Sequence, residues 1–124
     1  MPDPTPLDTL YIAQGADLYW AYPVIDADTG EAADLTGWTA RCEVRTDYGG
    51  DLVTRFHSTE DWDGTITLDD GGNVILQLGN AYTSLLSKLP SSARFDVELI
   101  SPTGAVTRLV GGPAVVTLEV TTDA

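Results

Sequence analysis

A single histidine, His57, a single cysteine, Cys42, and 19 acidic side chains are the groups from which this 124-residue chain would have to build a reactive centre. Acyl transfer needs a nucleophile, a base and a group that orients the base. His57 closes the run LVTRFH on the face opposite Phe56 and next to a polar loop, the expected place for a surface histidine at a strand end. Cys42 shares a face with Trp38, Ala40 and Val44 in WTARCEVR, where a thiol packs as a small core residue. One cysteine allows neither an internal disulfide nor a thiolate metal cluster within the chain. Without a glycine-rich phosphate loop or an HExxH pair, cofactor and zinc chemistry have no support. The expectation is a non-enzymatic protein with no catalytic residue and no cofactor.

The carboxylates raise two further possibilities. Asp61 and Asp63 flank Trp62, an arrangement a glycosidase would use as paired acids beside a sugar-stacking ring; a polar loop anchored by one tryptophan uses the same letters. In DADTGEAAD, Asp26, Asp28, Glu31 and Asp34 crowd around Gly30. These are the calcium candidates, because calcium favours several hard oxygen ligands on a tight loop. The segment lacks the full spacing and closing glutamate of an EF-hand, and a turn explains it through aspartate and glycine propensity alone. Asp69 and Asp70 in DDGGN carry the same ambiguity.

A net charge of −13 repels phosphate backbones and anionic lipid surfaces, so neither nucleic acid nor a membrane is an expected partner. Arg41, Arg45, Arg55, Arg94 and Arg108 are spread singly along different strands. They are expected to pair across strands with Glu43, Asp96 and Glu98, while Arg41 and Arg45, on one exposed face, suit an acidic neighbour in an assembly. No apolar run approaches the ~18 residues of a membrane span. The start MPDPTP lacks the basic and apolar regions of a signal peptide, which points to synthesis in a cytoplasm.

Residues 1–9 read as an extended arm, with Pro2, Pro4 and Pro6 removing backbone donors; the arm is expected to lie against a neighbouring subunit. Residues 10–124 read as one domain. Leu18, Trp20, Tyr22 and Val24 alternate with Tyr19, Ala21 and Pro23, the proline marking an edge strand. WTARCEVRT is the cleanest half-buried strand, followed by LVTRFH, TITL and NVILQL, the last two joined by a DDGG turn. In NAYTSLLSKLP the apolar spacing becomes helical, with Asn80 as N-cap, predicting about two turns of helix ended by Pro90. Phe95, Val97 and Leu99 face inward in the next strand, SPTG turns the chain into AVTRLV, and AVVTLEVT follows Gly111, Gly112 and Pro113 as a separate strand. Turn chemistry about every ten residues predicts an all-β antiparallel sandwich of about seven or eight strands with one short helix.

The succession GADLYWAYPVIDADTGEAADLTGWTARCEVR, GTITLDDGGNVILQLGNAYTSLL and ARFDVELISPTGAVTRLVGGPAVVTLEVT resembles small virion proteins of tailed bacteriophages, in particular the N-terminal immunoglobulin-like domain of phage baseplate upper proteins. The resemblance runs from Ile12 to Thr121. Asp17 stands one place later than that group's aspartate, with Ala16 inserted, and Phe95 occupies the place of its common tyrosine. The resemblance implies an immunoglobulin-like β-sandwich and a structural role in the virion, as a tail or baseplate protein made in the bacterial host cytoplasm. Its partners would be other virion proteins and copies of itself, reached through sheet edges, loops and the arm, with no place for a small-molecule ligand. Pro2, Pro4, Pro6, Tyr48 and Trp62 are the expected partner contacts. Baseplate upper proteins usually continue past this domain, so a capsid decoration or head-fibre role stands beside the tail one. The rival of a different class is an adhesion module gripping calcium or carbohydrate with Trp62 and the acidic loops.

Overall fold

The computed structural model describes residues 7–120, so Pro2, Pro4 and Pro6 lie outside the described residues. The described residues are all-β apart from one helical turn. Its strands are β1 (Leu10–Ala13), β2 (Leu18–Pro23), β3 (Thr39–Arg45), β4 (Leu52–His57), β5 (Gly64–Leu68), β6 (Asn73–Leu78), β7 (Arg94–Ile100) and β8 (Val106–Thr117), with α1 (Asn80–Thr83) between β6 and β7. They form one eight-stranded sheet in the order β1-β8-β7-β3-β4-β5-β6-β2, which curls until it is nearly a barrel.

Inward residues alternate along each strand, as half-buried strands require. Ala40, Cys42 and Val44 of β3, Phe56 of β4, Val74, Leu76 and Leu78 of β6 and Phe95, Val97 and Leu99 of β7 form one core with Leu10 and Ile12 of β1. Trp20 of β2 meets Phe95 of β7 edge to face at 5.9 Å, although the two strands lie five places apart in the sheet. The curl of the sheet brings them together across the core. Pairing is sparsest where β4 and β5 join through just Phe56–Gly64 and His57–Thr65.

Three expectations change. The sheet is mixed, since β1–β8 and β4–β5 are parallel. AVTRLV and AVVT are a single strand, because Gly112 adopts a φ of 153° and Pro113 sits where pairing passes from β7 to β1. Leu7 pairs with Gly111 and the Asp8 N–H donates to the Gly111 carbonyl at 3.1 Å, so the segment before Leu10 already lies along β8.

The helix is also shorter than its spacing predicts. Gly79 is the N-cap, and Asn80 lies inside the helix with its N–H donating to Asp17 Oδ1 at 2.8 Å. Thr83 Oγ1 donates to the Ala16 carbonyl at 2.8 Å, and Gln14 Nε2 donates to the Leu86 carbonyl at 2.8 Å. Beyond Thr83 the backbone tightens to i→i−3 bonds, from the Leu85 N–H to the Tyr82 carbonyl at 3.0 Å and from the Leu86 N–H to the Thr83 carbonyl at 3.1 Å, so no second α-turn forms, and Leu85 stays 78% exposed. Pro23 falls on the edge strand β2, where its missing donor breaks no pairing.

Candidate protein-binding face

Strand register assembles what the sequence leaves scattered. In an antiparallel pair, directly opposed residues share a face. Arg41 opposes His57 and Glu98, Glu43 opposes Arg55 and Asp96, Arg45 opposes Arg94, and Glu98 opposes Arg108. The outer face of β4-β3-β7-β8 therefore holds five of the six basic residues in the chain, the sixth being Lys88 in the β6–β7 connection. Set against Glu43, Asp96 and Glu98, the five guanidiniums leave this face with an excess of two positive charges in a chain of net charge −13.

Two of the expected cross-strand pairs are present: Arg41 Nε donates to Glu98 Oε1 at 2.8 Å, and Arg108 Nε lies 3.5 Å from Asp96 Oδ2. Arg45 instead donates through Nε and Nη2 to Glu43 Oε1, two residues back on its own strand, at 3.1 and 3.0 Å. Arg45 and Arg94 also donate to backbone carbonyls, of Gly50 and of Ser91 and Ala93. Exposed pairs of this kind contribute little to stability, about 0–1 kcal/mol each; their effect here is to hold the guanidiniums of Arg41, Arg45 and Arg108 in place on the outer face. Asp96 is the costly member. Partial burial pushes its carboxyl above the ordinary value, and the neighbouring Glu98 and Glu43 add to the shift, which Arg108 and Arg41 only partly oppose.

Tyr48 and Trp62 stand at two rims of this array. The Arg94 guanidinium lies 5.7 Å from the Tyr48 ring, and Tyr48 is 83% exposed. The Arg55 guanidinium lies 4.2 Å from the Trp62 ring, whose side meets the His57 ring edge to face at 4.7 Å. Tyr48 and Leu7 line a depression of about 200 Å³ together with Arg45, Arg94 and Arg108 and, balancing them in charge, Glu43, Asp47 and Asp96. Aromatic and arginine side chains together are the usual anchors of protein interfaces.

The remaining candidates serve local structure. His57 Nδ1 accepts the N–H groups of Thr59 and Glu60, each at 3.0 Å, and so caps the loop after β4. An acceptor nitrogen must stay unprotonated, in keeping with a pKa held below the ordinary histidine value by partial burial, a shift that Arg41 reinforces and Glu60 opposes. Cys42 is buried, and burial raises its thiol well above the usual range. Asp61 and Asp63 are exposed on either side of Trp62.

The calcium candidates are engaged in turns. Asp26 Oδ1 accepts the N–H groups of Asp28 and Thr29 at 2.8 and 3.3 Å, and Asp34 Oδ1 accepts the hydroxyl and N–H of Thr36 at 2.6 and 3.0 Å. The Thr36 hydroxyl, followed by its N–H, lowers the Asp34 pKa. Asp69 is likewise held low by the N–H and side chain of Asn73 and the N–H of Gly71. Among the described residues, no three side chains of the metal-ligating types converge.

The arginine cluster is what sequence reasoning missed. The outward positions of Arg41, Arg45 and Arg94 in their strands were a visible signal; the order β4-β3-β7-β8 that joins them was not. Neither protein-family models nor curated proteins provide a match to this chain.

Proposed function

We propose that this chain is a non-enzymatic structural component of a tailed-phage virion. In this reading it is a tail or baseplate protein with an immunoglobulin-like β-sandwich fold, assembled through protein–protein contacts with other virion proteins and with copies of itself. The order of strand and turn motifs from Ile12 to Thr121 supports the assignment. So do the sparse pairing at β4–β5 and the packing of Trp20 against Phe95 across the core.

One observation carries the binding role: five arginines gather on one outer sheet face, with the exposed Tyr48 and the half-buried Trp62 beside Arg94 and Arg55 at its rims. The carboxylates of Asp26, Asp34 and Asp69 are meanwhile spent on turns. A rigid sheet face presenting fixed charges and rings suits repeated docking, in which many modest contacts add through multivalency. Immunogold labelling and mass spectrometry of purified particles test the role. Label at the tail supports the proposal, label on the capsid moves the protein to a decoration role, and its absence from purified particles overturns it.

A further inference from the structure

We infer that a second copy of this chain adds to the open edge of the sheet, β2 pairing antiparallel with β2 about a twofold axis at Trp20. This inference rests on the assembly role proposed above and names one of its contacts.

The direction of the backbone groups follows from the bonds at the strand ends. The Val24 N–H donates to the Gly72 carbonyl at 2.9 Å, on the side of β6, and backbone groups alternate sides along a strand. Leu18, Trp20 and Tyr22 therefore bond toward β6, in register with Leu78, Leu76 and Val74. The Asp69 N–H agrees with this, since by donating to the Asn73 carbonyl at 3.1 Å it turns Asn73, Ile75 and Gln77 toward β5 and leaves the residues between them for β2. The N–H and C=O of Tyr19 and Ala21 point the other way, to an edge where β2 pairs with no further strand among the described residues. Pro23 shares that direction and has no N–H to offer.

Burial separates this edge from the other end of the sheet. At β1 the inward Leu10 and Ile12 are fully buried, so that edge is already covered. At β2 the inward Leu18, Trp20 and Tyr22 stay half-buried, although the β6 residues opposite them are sealed. Trp20 and Tyr22, stacked at 5.6 Å, are thus part-exposed apolar rings beside unpaired backbone groups, the two features that strand addition uses.

Charge and side-chain size select a second copy as the added strand. β2, β6 beside it and β5 beyond carry no charged side chain, so two chains of net charge −13 meet there without like charges directly opposed. With the axis at Trp20, Tyr19 opposes Ala21 of the second copy, large against small on the outer face, and each such pair exchanges both backbone bonds. On the inner face Trp20 opposes its own counterpart and Leu18 opposes Tyr22, apolar against apolar. Asp17, the carboxylate that precedes β2, falls opposite Pro23, whose missing donor ends the pairing. The same patch serves on both copies, so the contact closes at a dimer.

Sedimentation velocity and amide hydrogen exchange on the purified chain test this. The wild type is expected to pass from monomer to dimer as concentration rises and to stop there. The Tyr19 and Ala21 amides, open in the monomer, are expected to exchange about tenfold or more slowly in the dimer. Ala21→Pro removes an outward donor while leaving the ladder to β6 intact, and is expected to weaken dimerisation by about tenfold or more. Circular dichroism of that variant must match the wild type; if it does not, a pair of cysteine variants decides. Tyr19→Cys mixed with Ala21→Cys is expected to form a disulfide between copies. Neither alone should do so, because identical positions on the paired strands lie beyond disulfide reach, and Cys42 is buried. A wild type that stays monomeric at millimolar concentration overturns the contact, as does growth past the dimer. So do Tyr19 and Ala21 amides already protected in the monomer, a folded Ala21→Pro variant that dimerises like the wild type, or a cysteine mixture that fails to cross-link. Particle labelling reports on the virion role separately.

Discussion

The ring of Phe56 lies across the position where a side chain on Gly64 would begin, and these two residues oppose each other at the narrow junction where β4 hands the sheet on to β5. Glycine is required there because a Cβ would overlap the aromatic carbons. Gly64→Ala is expected to destabilise the protein by about 1–3 kcal/mol through overpacking, and Phe56→Ala by about 3–5 kcal/mol through the cavity it leaves. The double variant should lose less than the sum of the two, because the second change relieves the clash made by the first. Urea denaturation of the four proteins measures that coupling.

His57 links the loop to pH. Its folded pKa lies below the ordinary 6.5, so between those two values the unfolded chain binds more protons than the folded one. Stability is therefore full above about pH 6.5 and falls as pH drops toward the folded pKa. NMR titration of the ring should show the depressed midpoint. His57→Ala should remove that part of the pH dependence and lower stability at pH 7, since the Thr59 and Glu60 N–H groups lose their acceptor.

Asp96 has the opposite sign. Its pKa is raised in the folded state, so its ionisation opposes folding at neutral pH and the penalty vanishes as pH falls below about 3.8, where both states hold the proton. Asp96→Asn is expected to raise the melting temperature slightly at pH 7, with the gain disappearing toward pH 3. The loss of an exposed 3.5 Å pair with Arg108 is too weak to reverse this. Melting curves of both proteins across that range provide the check.

Gly112 lies beside the backbone of Asp8, and its φ of 153° disfavours any other residue. Gly112→Ala is expected to lift the Leu7–Thr9 segment from β8. Hydrogen exchange should show the Asp8 amide, which donates to Gly111, losing protection well before the amides of β3 and β7.

Alternation and turn chemistry are local, and so β3, β4, β6 and β7 could be read almost to the residue, as could the buried faces through Ala40, Cys42, Val44, Phe95, Val97 and Leu99. The turn roles of Asp69 and of the DADTG segment follow from the same local rules. Tertiary contacts decided the rest. Whether NAYTSLLSKLP winds twice was not decided by its apolar spacing: after Thr83 the Leu85 and Leu86 N–H groups bond only three residues back, while Gln14, Ala16 and Asp17, more than 60 residues away, anchor the segment. Whether Gly111–Pro113 breaks a strand depended on β1 and β7 lying on either side of it. The arginine face exists because β4, β3, β7 and β8 are neighbours. Period-two patterning tells each arginine to point outward, but which outward residues become neighbours is set by pairing between distant strands, and that is a property of the folded sheet alone.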